Sequence, residues 1–335
     1  MTKATVLVTG GAGYIGSHAV LALLDAGYPV VVIDNLGTGF RGAVDPRATF
    51  VQGAIEDDEL VRETLRRHDI RAIMHFAGSI IVPESVENPL KYYRNNTAAS
   101  RSLIESAVMC GVPHFIFSST ATLYGIVDRW PIREDFPIQP INPYGKSKQM
   151  TEMMLADVAA AHPLNYAALR YFNVAGADPQ GRSGQSTEGA THLIKVAVEA
   201  VTGKRSHVAI FGTDYETRDG TGMRDYIHVS DLAAAHLDAL EALMANPHQS
   251  YTLNVGYGTG STVLEVLDAV DRVTNMTIER RIEPRRAGDP PILVADNSAI
   301  LSALPWRPKR DNLDLIIADA LAWERSLAQR RELAA

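Results

Sequence analysis

Tyr144 and Lys148 stand four residues apart in Pro143-Tyr-Gly-Lys-Ser-Lys148. On a helix that spacing puts both side chains on one face, about one turn apart. An ordinary tyrosine, with a pKa of ~10, is a poor base near neutrality. An ammonium one turn away and the positive ring of an oxidised nicotinamide would both favour the phenolate and lower that value. Such a tyrosine can take a proton from a hydroxyl while hydride leaves the same carbon. Tyr-x-x-x-Lys by itself arises often by chance. Its weight here comes from its position, one helix after Ser118-Ser-Thr120 and downstream of a glycine-rich turn. Thr120 is a short hydroxyl at a strand end, suited to relay or hydrogen-bond a reacting oxygen; outside that setting it would serve equally well as a turn cap.

The glycine-rich turn lies in Val6-Leu-Val-Thr-Gly-Gly-Ala-Gly-Tyr-Ile-Gly-Ser-His18. A short apolar run breaks into Gly10, Gly11, Gly13 and Gly16. A helical pattern follows, with Ile15, Ala19, Leu23 and Leu24 on one side. Strand, turn and helix in this order form a dinucleotide cradle: glycines let a pyrophosphate approach backbone N–H groups, and the helix N-terminus favours its charge. A second apolar run, Pro29 to Ile33, ends in Asp34, at the roughly 20-residue distance expected of the acid that holds the adenosine ribose. An acid there repels a 2′-phosphate, so NAD is favoured over NADP.

The elements that must hold these groups alternate. Strands are expected at Thr49–Gln52, Ala72–Phe76, His114–Ser118 and Tyr166–Arg170. Helices are expected at Glu56–Arg67, Asn88–Cys110 and Tyr144–Ala161. Such alternation predicts an α/β fold, a doubly wound parallel (Rossmann) sheet that binds ligands at the carboxyl ends of its strands. After residue 175 the pattern loosens. Gly, Asp and Pro cluster at 176–189 and 212–222. Short strands are expected at Val208–Phe211 and Tyr251–Asn254, and helices at Thr191–Thr202, Ser230–Met244, Ser261–Val273 and Asn312–Arg330. Ser230-Asp231 reads as a helix N-cap. We therefore expect a nucleotide-binding domain over 1–175 and a smaller mixed α/β substrate domain over 176–335, from which some C-terminal segments return to the first.

Composition narrows the classes. The chain has 335 residues, 46% hydrophobic and 21% charged, with a net charge of −7. The basic residues are scattered, which argues against nucleic acid as a partner. No apolar run approaches the ~20 residues of a membrane helix, and the first apolar run reads as a strand rather than a signal peptide. The single cysteine, Cys110, excludes internal disulfides and cysteine metal clusters; beside Gly111 at a helix end it reads as core filler. A reducing cytoplasm fits. No spacing of His75 or His228 with carboxylates suggests a metal.

The set resembles the extended short-chain dehydrogenase/reductase family and, within it, the UDP-glucose/UDP-galactose 4-epimerases. The resemblance runs over nearly the whole chain: through 8–18, Asp34-Asn35, His75–Gly78, Glu84–Val86, Tyr92-Tyr93, Asn95-Asn96, Phe117–Gly125, Tyr144–Lys148, Leu169–Asn173, Asp219–Val229 and Arg285–Asp289. It implies a cofactor site of Gly10, Gly13, Tyr14, Ile15, Gly16, Asp34, Asn35, Ile55, Phe76, Ala77, Asn95, Ser118, Tyr144, Lys148 and Tyr171. It implies that Thr120 and Tyr144 face the sugar, with Tyr144 as base and Lys148 beside it. It implies UDP contacts at Asn173, His192, Leu193, Arg224, Arg286 and Asp289, with Leu293 at the sugar. Guanidinium forks suit a diphosphate, and a carboxylate suits ribose hydroxyls. It also implies a homodimer built on the helices at 88–110 and 144–161.

Four positions depart from the familiar bacterial pattern. Ala54 replaces an aspartate near the adenine, and Ile80 a lysine near the cofactor phosphates. His192 replaces an asparagine on the UDP side, and Leu293 a tyrosine that narrows the sugar pocket. The smaller Leu293 leaves N-acetylated sugars open as substrates.

The resemblance implies epimerisation at the sugar 4-position through a transient 4-keto sugar. NAD carries the hydride and, with no net redox, stays bound through turnover. A pentose (xylose/arabinose) epimerase remains a close alternative, because nothing shows how the sugar 6-position is read. Related dehydratases carry an Asp-Glu pair just after the strand-end threonine; here Ala121 and Thr122 stand there. A non-catalytic sensor is disfavoured by the intact Tyr144, Lys148 and Thr120.

Overall fold

The computed structural model describes residues 3–187, 189–286 and 290–334. The chain opens with strand β1 (Thr5–Thr9), helix α1 (Tyr14–Asp25), β2 (Val30–Asp34) and β3 (Thr49–Gln52). There follow α2 (Asp58–Arg67), β4 (Ile70–His75) and a helical run of α3 (Val82–Glu87), α4 (Pro89–Tyr92), a π-helical turn (Tyr93–Ala98) and α5 (Ala99–Met109). Next come β5 (His114–Ser118), α6 (Pro143–Ala161), β6 (Asn165–Tyr171) and β7 (Asn173–Ala175).

The apolar run Val6-Leu-Val8 alternates across the central sheet. Val6 and Val8 enter one core with Val20 and Leu23 of α1, and Leu7 enters the other with Leu103 and Ile104 of α5. A strand buried on both faces is what a parallel sheet requires. The seven-stranded sheet runs β11-β6-β5-β4-β1-β2-β3, with every named pairing parallel. The strand order reverses between β1 and β4, so their carboxyl ends flank the crevice where such folds bind ligands.

Beyond β7 lie α7 (Leu193–Val201), β8 (Val208–Phe211), β9 (Met223–Arg224), β10 (Tyr226–His228), α8 (Val229–Ala245) and β11 (Tyr251–Val255). The chain ends with β12 (Ser261–Thr262), α9 (Val263–Thr274), β13 (Arg280–Glu283), β14 (Ile292–Leu293), α10 (Ser298–Ala303) and α11 (Leu313–Ala334). Among the described residues three small sheets form here: β10-β7, β12-β9-β14 and β13-β8. Their core joins α7, α9 and α11 through Ile194, Val266, Val270 and Ile317.

Three differences from the sequence reading have physical causes. The strand at Tyr251 is not part of the smaller region; it extends the central sheet beside β6, while Leu232, Ala239 and Leu243 of α8 pack on that sheet's face. The two regions are therefore interleaved in sequence. The helix read as unbroken from 88 to 110 widens into a π turn, a distortion that gathers at functional sites. The cap of α8 is His228, whose Nδ1 accepts from Ser230 N at 3.0 Å, rather than Ser230-Asp231. Asp231 instead accepts from Tyr257 Oη at 2.7 Å and from Arg310 N at 2.8 Å. Among the described residues no helix is long and apolar enough to cross a membrane.

Candidate active site

The turn between β1 and α1 is made by close backbone approach. Gly10 has φ +73°, and a Cβ there would lie 2.6 Å from Ala77 N. A Cβ on Gly16 would overlap Gly10 O. No side chain caps α1 and its first turn holds no acid, so its N-terminal N–H groups face the crevice without an internal anion. At the end of β2 the buried Asp34 carboxylate accepts from Ala12 N at 2.9 Å and Leu36 N at 2.8 Å. Those bonds fix its orientation and leave acceptor capacity for ribose hydroxyls. A glycine cradle, an uncapped helix start and an oriented acid fit a dinucleotide.

Tyr14 is turned by a hydrogen bond from its Oη to Gly176 O at 2.7 Å, which joins the turn to the second region. Ile15 packs against the sheet core as a partly buried side chain. Asn35 is exposed, and its Oδ1 accepts from Gly37 N at 2.9 Å. Phe76 and Ala77 follow β4, with the Phe76 ring 4.8 Å from that of His236. Ile55 is the exception in this set. Its side chain is buried in the core with Val61 and Leu65, so only its backbone is left to meet a cofactor. Ile80 is exposed and Ala54 half-buried.

The chemistry-bearing groups converge at the end of β5. Lys148 Nζ donates to Ser118 O at 2.9 Å and lies 4.8 Å from the centre of the Phe117 ring. Ser118 Oγ and Tyr171 Oη are 2.6 Å apart. Thr120 caps the following turn, accepting from Thr122 N at 3.1 Å, and lies near enough to Tyr144 for its hydroxyl to favour the phenolate. Asn142 Oδ1 accepts from Gly145 N at 2.8 Å and so caps the start of α6.

Burial pushes the Tyr144 phenol above its ordinary value, and the Thr120 hydroxyl only partly offsets this. Burial also lowers Lys148 to about 8. Desolvation is thus the largest influence on the phenol. A cationic ligand ring would have to supply the remaining pull.

On the other side of the crevice, Asn173, Gln185, His192 and Leu193 line one cavity with Tyr226 and Trp323. His192 Nδ1 lies 2.8 Å from Gln185 Nε2. Arg224 and Leu293 are register partners on β9 and β14. Arg224 Nη1 donates to Met223 O at 2.9 Å, and Leu293 packs towards Ala121, Tyr124 and Phe172, beside Thr120. The Arg286 guanidinium sits 3.7 Å from the Phe211 ring centre, and Asp289 lies outside the described residues. Asp225, fully buried, fixes the arginine's strand by accepting from Tyr257 N and Gly258 N, each at 2.9 Å; burial raises its carboxyl to about 6.

Several partners escaped the sequence reading. Asn96 is buried: Oδ1 accepts from Ser79 N at 2.7 Å and Nδ2 donates to Ser147 Oγ at 3.1 Å. Asn95 is half-buried beside it, and its Nδ2 donates to Ser79 Oγ at 3.1 Å. His75 holds Thr9 Oγ1 at 2.7 Å and Ser100 Oγ at 2.8 Å, and burial lowers it to about 3; it ties strands together. His228 Nε2 meets Asp319 at 3.1 Å, a second structural histidine.

A parallel nucleotide-binding sheet with a Tyr-Lys-Thr set at its crevice defines a class of NAD-dependent enzymes. Residues 6–256 match the model of the NAD dependent epimerase/dehydratase family, and the chain belongs to that family. It is 55% identical over 324 residues to a UDP-glucose 4-epimerase of Azospirillum brasilense, covering 97% of this chain and 93% of that one. Among solved structures it matches UDP-glucose-4-epimerase from Stenotrophomonas maltophila with bound NAD and formylated UDP-arabinopyranose. There the TM-score is 0.95 and the identity 38%, over 98% of this chain and 100% of the other. It also matches the UDP-Glc/GlcNAc 4-epimerase of Campylobacter jejuni, with TM-score 0.85 and identity 44%, over 97% of this chain and 100% of the other.

Proposed function

We propose that this chain interconverts UDP-glucose and UDP-galactose at the sugar 4-position, with tightly held NAD. The observation that carries the reading is the convergence of Thr120, Tyr144 and Lys148 at the end of β5, beside the glycine cradle of β1 and α1. When bound, NAD supplies a reversible acceptor for the hydrogen at the sugar carbon. The chain's own residues do the rest. Tyr144 removes the 4-hydroxyl proton and later returns it. Thr120 hydrogen-bonds the tyrosine and the reacting oxygen. Lys148, anchored on Ser118 O, presents its ammonium to the cofactor ribose and favours the phenolate. Asp34 accepts from the adenosine ribose.

Arg224 and Arg286 pair with the diphosphate, while Asn173, His192 and Leu193 hold the uridine and Asp289 its ribose. Holding UDP firmly while the keto sugar turns over is what allows return of hydrogen to either face. Residues 1–175 and the returning strand carry the cofactor; most of 176–335 carries the UDP-sugar. No acid stands where elimination would need one: Ala121 and Thr122 follow Thr120, and the Thr122 hydroxyl is bonded to Thr120 Oγ1 at 3.0 Å. Incubation with UDP-galactose and separation of products tests the reading. UDP-glucose without consumption of added NAD is expected. A 4-keto-6-deoxy product, or no conversion with cofactor bound, overturns it.

A second substrate has its own support. Leu293 is half-buried beside the Thr120 turn, and its small apolar side chain leaves room for an acetamido group, so UDP-N-acetylglucosamine turns over as well.

The protein acts in the cytoplasm as a homodimer. Exposed Met150 and Met153 on α6 and Leu90 on α4 form apolar surface of the kind that helix pairing between subunits covers. A monomer by light scattering at micromolar concentration would count against this.

A further inference from the structure

We propose that Glu152 is a positioning residue for the Tyr144–Lys148 pair: clamped by Arg170 and Ser119, its carboxylate holds a negative charge one helical turn from the Lys148 ammonium and fixes the strand end that bears Ser118 and Thr120. The inference rests on the roles given to Tyr144 and Lys148 above.

Tyr144, Lys148 and Glu152 follow one another at four-residue intervals on α6, so all three share a helix face. The last two meet successive residues of the same strand end. Lys148 Nζ takes Ser118 O at 2.9 Å, and Ser119 Oγ donates to Glu152 Oε1 at 2.5 Å. Thr120, whose hydroxyl favours the Tyr144 phenolate, comes next. Arg170 on β6 closes the arrangement as a fork, with Nη2 to Glu152 Oε2 at 2.6 Å and Nε to Oε1 at 3.0 Å. The two side chains are only 8% and 11% exposed. Arg170 Nη1 also reaches Tyr124 Oη at 3.0 Å, and Tyr124 donates to Asn254 at 2.8 Å, so the clamp is anchored on β11 at the sheet edge.

A buried ion pair is weak evidence for stability, since hydrophobic replacement often costs nothing. Its electrostatic effect on a neighbour is a separate matter. Burial lowers Lys148 to about 8, and Glu152 is the charge that opposes the fall. The other groups around the ammonium do not perform that task. From β4 comes His75, buried and neutral, its own value held down by burial and then by Lys148. From β5 come a carbonyl and the Phe117 ring. From β6 come Tyr171, which burial keeps protonated, and Arg170, whose charge is of the wrong sign. From the π turn comes Asn96, uncharged. Tyr144 on the same helix is likewise kept protonated by burial in the ligand-free chain.

The test is titration of Lys148 in 13Cε-lysine-labelled, NAD-loaded protein by NMR, its signal assigned by loss in K148M. In E152Q the ammonium faces Arg170 alone, and its midpoint falls by about one pH unit. In R170M the carboxylate is uncompensated and the midpoint rises. E152D restores most of the wild-type value. The alkaline limb of kcat moves in the same direction as each midpoint, with KM for the UDP-sugar unchanged. The double variant E152Q/R170M leaves no lone buried charge, so it folds even where a single variant does not; its midpoint lies between those of wild type and E152Q. A purely structural role gives shifts of one sign in both single variants, or none, and a double variant at the wild-type midpoint; either result overturns the proposal. Lys148 titrates without substrate, so an absence of epimerase activity would leave this readout intact.

Discussion

Around Gly10 to Gly16 the site is made of backbone: two glycines at van der Waals limits, an uncapped helix start, and an acid oriented by two main-chain N–H groups. Around Asn173 and Arg224 it is made of side chains drawn from β7, α7, β9 and β14, which are far apart in sequence. The first region is contiguous in sequence and built from closely packed main-chain groups. In the second, the two arginines already have internal partners, a carbonyl for Arg224 and the Phe211 ring for Arg286. A backbone cradle recognises a group common to many ligands. A side-chain cleft with exchangeable partners can be tuned to one sugar nucleotide by single substitutions. Tyr144 lies where the two meet.

The sharpest cut falls at that meeting point. Tyr144→Phe removes one oxygen and keeps the ring, so both regions should survive while turnover drops by at least the ~10²–10⁴-fold of a lost general base. A variant that keeps near-normal turnover with NAD bound means another group is the base. Next in size is Gly16→Ala, whose methyl would overlap Gly10 O. Overpacking of about 1–3 kcal/mol should fall on the cofactor cradle, weakening NAD retention by up to about a hundredfold. Nicotinamide released from the denatured variant at the wild-type ratio would contradict a cradle that depends on this close approach.

Arg224→Ala should act on the other region alone. Loss of charge-assisted hydrogen bonds worth about 1.5 kcal/mol or more raises KM for the UDP-sugar by about tenfold or more, with NAD content unchanged. A loss of NAD in this variant would show that the regions are not independent. The smallest effect belongs to Leu293→Tyr, which should depress turnover of UDP-N-acetylglucosamine more than that of UDP-glucose. Equal effects on both would remove Leu293 as the pocket's selector.

What the sequence by itself determined follows the same division. The cradle was legible because its parts are contiguous: apolar run, glycines, helix and Asp34 within one βαβ unit, each with a local physical signature. Tyr144 and Lys148 were legible because helical periodicity fixes their relation. Glu152 obeys the same periodicity, but nothing in the sequence says that Arg170 and Ser119 would meet it. Only the tertiary structure decided that the strand at Tyr251 returns to the central sheet, that Asn96 is buried between Ser79 and Ser147, and that Ile55 is spent in the core. It alone decided that burial is the largest influence on the Tyr144 phenol. Helical phase at a π turn, strand pairing across eighty residues and desolvation all depend on what packs around a residue, and a one-dimensional pattern carries no record of that.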